Sequence, residues 1–231
     1  MLETVAKTDI IYPSSDGEPV AETYIHLYAI LTTLEVLKQY LVGQKATVLA
    51  NQFMYYSQGL PRMRVAPDVM IIFNVEPGGR DNYKIWEEKE VPQVIFEMTS
   101  PGTKNQDQEF KKTLYEQLGV KEYWLFDPKG EWIPEQLKGY RLRNNIYEII
   151  EDNRSEPLKL ILKVEGQLIG FYREDTGEKL LIPEELATAL QEKETELQQK
   201  ETELQQERKK VSEMEAMIEK YRQKFGDLSE Q

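Results

Sequence analysis

The sequence predicts a mixed α/β domain over residues 1–182, followed by a helical tail over residues 183–231. Two observations support this division. Short apolar segments bounded by proline and glycine alternate with segments whose apolar residues recur three or four positions apart, which indicates strands mixed with helices. From Pro183 onward the apolar residues recur every seven positions, which is typical of a long helix that packs against another helix.

The first predicted element is a helix over residues 18–42. Glycine just after a periodic apolar pattern is a common helix stop, and Gly43 stands at that position. The apolar residues that define the helix are Tyr24, Leu27, Tyr28, Leu31, Leu34, Val36, Leu37 and Leu41.

The segment after this helix is rich in predicted strands, with one helix among them. That helix covers residues 104–118 and ends at Gly119. Strands are predicted for residues 46–51, 64–74 and 93–98 before it, and for residues 122–126, 140–143, 147–150, 158–164 and 167–172 after it. The order helix, strands, helix, strand predicts a mixed sheet flanked by helices, with the last strands forming hairpins beyond the core.

The tail carries a tandem repeat of KETELQQ at residues 193–199 and 200–206. One line of residues seven apart is fully apolar: Leu190, Leu197, Leu204, Val211, Ile218 and Phe225. The companion line of a coiled-coil seam is charged in its middle: Leu186, Lys193, Lys200, Glu207, Met214 and Tyr221. A solitary charged helix has little reason to keep a strict apolar heptad line, so we interpret the tail as a coiled coil that makes the protein a homo-oligomer. The number of strands in that coiled coil stays open.

Composition narrows the classes of function. The chain has 231 residues, a net charge of -12 and no cysteine, which excludes disulfides and thiolate metal sites. Residues 1–182 carry 21 basic and 28 acidic side chains, and residues 183–231 carry 8 and 13, so both parts are acidic. This balance counts against tight unassisted binding to nucleic-acid phosphates. Because the sequence shows no signal peptide and no apolar segment long enough to span a membrane, we expect a cytoplasmic protein without membrane contact.

Two carboxylates stand in strongly apolar surroundings. Asp68 directly precedes the segment VMIIF, and Glu97 interrupts the segment VIFEM. Ionised carboxylates in apolar strands are costly unless they are paired, hydrogen-bonded or bound to a cation. A divalent metal between two such groups would relieve their repulsion, and oxygen ligands suit Mg²⁺ or Mn²⁺. The pair therefore predicts a site where a metal holds a phosphate oxygen and activates a water.

The helix after Glu97 supplies a third candidate group. Asp107, Lys111 and Tyr115 are spaced four apart and share one helix face. If this helix packs beside the strand ends, Lys111 can reach the site and stabilise the transition state of phosphate transfer. The alternative is an ordinary exposed pair between Asp107 and Lys111, with Tyr115 in the core.

The stretch VAPDVMIIF, followed by VIFEMTSPGTKNQDQEFKKTLYEQLGVKEYWLFDP, resembles the Uma-two family of restriction endonucleases, in the PD-(D/E)XK nuclease superfamily. The resemblance is strongest over residues 65–128 and extends over residues 1–172. It implies a restriction-endonuclease-like core. It also implies that Asp68, Glu97 and the backbone carbonyl of Met98 bind the metal.

The sequence departs from the superfamily pattern at one catalytic position. The lysine expected two residues after the acid is missing, because Thr99 stands there. In the family that the sequence resembles, a lysine on the following helix takes over, and Lys111 occupies that position, with Lys112 beside it. The resemblance further suggests Glu22 on the first helix as an additional metal-binding acid.

Several neighbouring residues have two interpretations each. His26 either lines the pocket or has a structural role, and Ser100 either caps the loop or bonds to the metal-site carboxylates. Four aromatic residues could stack on bases: Tyr83, Trp86, Tyr123 and Trp124. Because Tyr123 and Trp124 are neighbours in a predicted strand, we expect one of these two to face the core instead.

The leading functional hypothesis is a metal-dependent DNA endonuclease that hydrolyses phosphodiester bonds with a Mg²⁺-activated water. Asp68 and Glu97 bind the metal in this hypothesis, and Lys111 stabilises the transition state. Pairing through the tail would bring two such sites together for cutting two strands. The alternative is a non-catalytic protein that keeps the nuclease-like fold and recruits partners through its coiled coil.

Overall fold

The computed structural model describes residues 10–17, 23–100 and 102–226, and the chain divides into two compact units, Met1–Ile182 and Pro183–Gln231. The second unit contains helix α4 (Pro183–Phe225). The first unit contains, in chain order, α1 (Tyr24–Tyr40), β1 (Ala46–Ala50), β2 (Met54–Tyr55), β3 (Arg64–Val65), β4 (Val69–Phe73), β5 (Tyr83–Lys84), α2 (Ile85–Glu88), β6 (Val94–Met98), a π-helix (Gln106–Lys111), α3 (Lys112–Leu118), β7 (Glu122–Phe126), β8 (Leu137–Arg143), β9 (Ile146–Ile150), β10 (Arg154–Ser155), β11 (Leu160–Glu165), β12 (Leu168–Arg173) and β13 (Lys179–Leu180).

A six-stranded sheet in the order β1-β4-β6-β7-β8-β9 organises the first unit. Strands β6 and β7 are parallel, and every other neighbouring pair in this sheet is antiparallel. Two smaller sheets, β10-β11-β12-β13 and β3-β2-β5, accompany it. This architecture confirms the predicted fold class. It is an α/β unit with a mixed sheet flanked by helices, followed by a long C-terminal helix.

The side-chain alternation of β6 determines which groups face the candidate site. Successive residues of a strand point to opposite faces of the sheet. Phe96 and Met98 pack in the core that includes α1 and β12, whereas Ile95 packs in the second core, which includes Tyr115 of α3. Glu97 alternates with Phe96 and therefore points to the same face as Ile95, toward the helix that follows β6.

Helix α1 differs from the predicted helix at its start and on one face. Helix α1 begins at Tyr24, after the N-cap Thr23, and the predicted start at residues 18–22 lies outside the described residues. Three of the apolar residues that define the predicted helix, Tyr24, Leu27 and Leu31, are exposed. The periodic pattern was therefore wider than the face that the sheet covers.

The prediction for residues 64–74 was wrong in detail, because β3 and β4 are separate strands that pair with different neighbours. Ala66, Pro67 and Asp68 lie between them. A proline has no backbone N–H to donate to a sheet, which explains why the strand is interrupted here. Asp68 consequently stands at the start of β4 instead of inside a continuous strand.

Helix α4 is a single helix of 43 residues, and none of them is buried. Its apolar heptad line, Leu190, Leu197, Leu204, Val211, Ile218 and Phe225, is exposed along its whole length. Among the described residues, no helix is long and apolar enough to cross a membrane.

Candidate active site

The pairing of β4 with β6 brings the two predicted carboxylates together. The two strands are antiparallel, with Val69 opposite Phe96, so Asp68 and Glu97 become neighbours across the sheet. The Asp68 carboxylate accepts a hydrogen bond from the Met98 N–H at 2.7 Å, and the Asp68 N–H donates to Glu97 Oε2 at 3.4 Å. Asp68 thus shares one small polar site with Glu97 and Met98, which stand 29 and 30 positions later in the chain.

Lys111 is the last residue of the π-helix, and its side chain extends into this site. Its Nζ donates to Glu97 Oε2 at 2.8 Å and lies 3.1 Å from Asp107 Oδ1. Tyr115, one turn later, donates its hydroxyl to Glu97 Oε1 at 2.8 Å. The interpretation of Asp107 and Lys111 as an exposed pair is therefore wrong, because the two side chains are only 3% and 13% exposed and Lys111 also pairs with Glu97. The placement of Tyr115 in the core is correct.

Burial governs the electrostatics of the site. Only 1% of Glu97 is exposed, and this burial raises the pKa of its carboxyl group to about 8. The Lys111 ammonium opposes the shift, whereas the negative charges of Asp68 and Asp107 add to it. Burial acts to lower the pKa of Lys111, but the surrounding carboxylates outweigh it and raise that pKa above its ordinary value. Lys111 is therefore a permanent cation at neutral pH.

The donor chemistry of the site fits a hard divalent cation. Asp68 remains partly accessible, with 14% of its side chain exposed, and Glu97 lies behind it. The carboxylates of Asp68 and Glu97 are the kind of oxygen ligand that Mg²⁺ and Mn²⁺ prefer, and the Met98 carbonyl stays a predicted ligand. Among the described residues, no three His, Cys, Asp or Glu side chains cluster in a way that could hold a metal. Glu22, the additional acid suggested from the sequence, lies outside the described residues.

A cavity of about 280 Å³ lies between the start of α1 and the loops that follow β6 and β7. His26 lines it, and its Nε2 lies 3.6 Å from Asp68 Oδ2. The Thr23 side chain caps α1 by accepting from the His26 N–H at 3.4 Å, which places this histidine in the first turn of the helix. His26 is thus both a cavity residue and a neighbour of the predicted metal ligand.

The loop after β6 forms another wall of this cavity. The Ser100 N–H donates to Thr103 Oγ1 at 3.1 Å, and the Ser100 carbonyl accepts from the N–H groups of Thr103 and Lys104. The Ser100 hydroxyl lies 3.4 Å from Thr103 Oγ1, so the contact of this side chain is within the loop. Thr103 also lines the cavity, and sequence reasoning missed it because a lone threonine in a loop carries no pattern.

Three of the four aromatic candidates for base stacking belong to the core. Tyr83, Tyr123 and Trp124 are fully buried. Tyr123 donates its hydroxyl to the Asp107 carbonyl at 2.9 Å, which holds the π-helix against the sheet. Trp86 is half-buried and packs against Tyr12, with ring centroids 5.2 Å apart. Tyr123 and Trp124 are therefore both core residues, whereas only one of them was expected to face the core.

Comparisons with known proteins agree with the sequence resemblance. The model of the Uma2 family, described as "Putative restriction endonuclease", matches residues 2–168. A solved structure from Anabaena variabilis ATCC 29413, described as "a putative nuclease belonging to DUF820", shares 16% identity at a TM-score of 0.43, over 59% of this chain and 72% of that chain. No curated relative matches the chain. Since the family model covers most of its length, the chain belongs to the Uma2 family.

Proposed function

We propose that this protein is a metal-dependent DNA endonuclease that hydrolyses phosphodiester bonds. The observation that carries the proposal is the convergence of Asp68, Glu97 and Lys111, which come from two strands and the following helix. Family membership supports the same class of activity. A π-helix frequently marks a functional site, and Lys111 is the last residue of one.

Each residue of the site has a proposed role. Asp68, Glu97 and the Met98 carbonyl would hold Mg²⁺ or Mn²⁺, with Glu22 as a further proposed ligand. The cation would neutralise phosphate charge and lower the pKa of a bound water. The Lys111 ammonium stabilises the negative charge that develops on the phosphate. Tyr115 fixes the orientation of Glu97 through its 2.8 Å hydrogen bond.

The proposed partners are DNA and a second copy of this chain. DNA would approach the side of the site where Asp68 and His26 are partly exposed, since Glu97 is closed off. The exposed heptad line of α4 supports homo-oligomerisation as a coiled coil. We also propose a cytoplasmic location, because the sequence has no cysteine to form the disulfides that are common in exported proteins.

Cleavage of supercoiled plasmid DNA tests the proposal. The protein is expected to nick the plasmid with Mg²⁺ or Mn²⁺, and Asp68→Asn is expected to lose this activity. Asp81→Asn is the matched control, because Asp81 is exposed and should leave cleavage unchanged. If no divalent ion supports cleavage and calorimetry detects no metal binding, the catalytic proposal is wrong.

A specific observation favours the non-catalytic alternative as a second candidate. Glu97 already accepts hydrogen bonds from Lys111 and Tyr115 on both of its oxygens, so the buried site is satisfied without a metal. In this alternative the site is structural and α4 recruits a partner. Metal binding discriminates the two: a protein whose Mn²⁺ affinity is unchanged in Asp68→Asn, or that binds no Mn²⁺, fits the alternative.

A further inference from the structure

We propose that α4 pairs with α4 of a second copy in antiparallel orientation, in the register that sets Leu186 opposite the partner's Phe225. The inference rests on the homo-oligomer proposed above and adds the orientation and register of its two helices. It depends on where the charged residues of α4 fall in the seam.

The seam positions follow from the exposed apolar residues of α4. The apolar line, defined above, consists of Leu190, Leu197, Leu204, Val211, Ile218 and Phe225, which are 48% to 70% exposed. Its companion three residues later consists of Lys193, Lys200, Glu207, Met214 and Tyr221, preceded by Leu186. The other possible companion would be almost wholly charged: Ala187, Glu194, Glu201, Arg208, Glu215 and Arg222. The first choice therefore forms the seam, with the apolar line at position a and its companion at position d.

A parallel in-register pair brings like charges together. In that orientation each d residue faces its own copy, so Lys193, Lys200 and Glu207 would form three consecutive like-charged layers. Juxtaposed like charges at a partly desolvated interface are strongly unfavourable. The centre of the seam therefore disfavours the parallel orientation.

An antiparallel pair removes these contacts, because each d residue then faces an a residue. In the proposed register Lys193 lies opposite the partner's Ile218, Lys200 opposite the partner's Val211, and Glu207 opposite the partner's Leu204. A lysine can pack its aliphatic stem on an apolar neighbour while its ammonium stays in water.

The intrahelical ion pairs support this placement of the lysines. Glu196 lies 2.6 Å from Lys200 Nζ and 3.5 Å from Lys193 Nζ on the same helix. Both ammonium groups therefore already bend toward the edge of the seam, where Glu196 lies. Their stems remain available to the apolar residues of a partner helix.

The charged residues that flank the a and d positions are compatible with the antiparallel register, but they do not distinguish it from the parallel orientation. Glu203 would lie opposite the partner's Lys210 and Glu201 opposite the partner's Arg208, with one unfavourable pair between Glu194 and the partner's Glu215. The parallel orientation also offers two favourable flanking pairs and one unfavourable pair. The three charged d residues are thus the feature that distinguishes the orientations.

This orientation changes the expected geometry of the oligomer. Residues 1–182 join α4 at Pro183, so antiparallel helices of 43 residues separate the two attachment points by about 65 Å at 1.5 Å per residue. The two attachment points would therefore lie at opposite ends of the paired helices, whereas a parallel pair would place them at the same end.

Cysteine crosslinking in the full-length chain tests the orientation, because the chain has no other thiol. Leu190 lies opposite the partner's Tyr221 in the antiparallel pair, whereas each residue faces its own copy in the parallel pair. Mixed Leu190→Cys and Tyr221→Cys chains are expected to form the 190–221 disulfide in about tenfold excess over either self-crosslink, since disulfides need Cα atoms closer than about 7 Å. Peptide mass spectrometry identifies each crosslink.

Two results would overturn the inference. Self-crosslinking of each variant without the 190–221 product would mean a parallel pair, and a monomer mass in light scattering would mean that α4 does not pair. A chain that crosslinks as expected but cuts no DNA would contradict the nuclease proposal alone.

A second set of variants tests the charge argument itself. Replacing Lys193, Lys200 and Glu207 together by leucine removes the like-charged layers, so self-crosslinking through Leu190→Cys is expected to rise severalfold. An unchanged ratio of crosslinks would show that these charges do not set the orientation.

Discussion

Lys111 Nζ lies 2.8 Å from Oε2 of Glu97, although the lysine stands 14 residues later and on a helix instead of the strand. Thr99, two residues after Glu97, holds the sequence position where the superfamily pattern has its lysine. The loop after Thr99 leads into the π-helix, and Lys111 at the end of this helix lies beside the Glu97 carboxylate. Lys111 therefore brings to Glu97 a positive charge that the threonine at position 99 cannot provide.

Replacing this lysine should abolish cleavage. Lys111→Met is expected to lower the rate of plasmid nicking about 100- to 1000-fold, as for loss of one preorganised group that stabilises transition-state charge. Lys112→Met is the matched control, because Lys112 lies over the Tyr140 ring, 4.6 Å from its centroid, instead of in the site. Equal losses in the two variants would contradict the role of Lys111, and circular dichroism should verify that both variants are folded.

The buried Glu97 should make the metal-free protein less stable as pH rises. Burial raises the pKa of this group from 4.5 to about 8, so between these values the folded protein holds a proton that the unfolded chain has released. The contribution is fully present below about pH 4.5 and is lost by about pH 8, at up to about 1.4 kcal/mol per pH unit.

Urea unfolding in EDTA between about pH 5 and about pH 8 measures this slope. Glu97→Gln cannot ionise and is expected to flatten the slope, whereas the exposed Glu109→Gln should retain it. A slope that is identical in the three proteins would show that Glu97 is not the responsible group.

A buried ion pair away from the site should matter for stability only. Glu122 is fully buried and accepts from Arg141 Nε at 2.9 Å and from Trp124 Nε1 at 3.2 Å. Arg141→Ala leaves that carboxylate without its cation and should cost about 3–5 kcal/mol of unfolding free energy. Arg143→Ala, at a half-exposed neighbour that pairs with Glu156, should cost under about 1 kcal/mol. Similar losses in urea titrations of both variants would contradict this difference.

Gly139 should tolerate no side chain, because it pairs with Trp124 across β7 and β8. A Cβ atom at Gly139 would lie 2.6 Å from Trp124 Cε3 and closer still to Cζ3. Trp124 is fully buried and stacked on Phe96, so the ring has little room to move. Gly139→Ala is expected to cost about 1–3 kcal/mol, as for an overpacked core.

Thermal unfolding should show this loss as a lower midpoint. Gly79→Ala is the control, because a Cβ there meets no atom within 4 Å and should leave the midpoint unchanged. If Gly139→Ala unfolds at the midpoint of the parent protein, the sheet has relaxed around the added methyl group.

Removal of the tail should lower the oligomeric mass. A chain that ends at Ile182 lacks α4 and its exposed heptad line, so light scattering is expected to give the mass of a single copy. The full-length protein at the same concentration is the reference. An unchanged oligomer would mean that residues 1–182 contain the pairing surface.

Local sequence patterns were sufficient for the class of fold and for the identity of the candidate acids. Asp68 and Glu97 were identifiable because a carboxylate beside or inside an apolar strand is costly without a partner. The exposed face of α1 was not identifiable in this way, because periodicity shows that a helix is amphipathic but not how wide a face its neighbours cover.

The position of Lys111 was open in the sequence for a similar reason. A spacing of four is the same for an exposed ion pair and for a buried one, and only the packing of the helix against β6 and β7 distinguishes them. The π-helix that carries Lys111 also has no signature in the spacing of its residues.

The sequence by itself determined that the protein consists of two kinds of unit. One is an α/β unit with two carboxylates beside or inside apolar strands, and the other is a helical tail with a strict apolar heptad line. These properties depend on residues close together in the chain. The tertiary structure alone shows the contacts that join Asp68, Glu97 and Lys111, because these contacts depend on the antiparallel register of β4 and β6 and on the docking of the helix. Strand register and helix docking arise from contacts between distant segments, which no local pattern encodes.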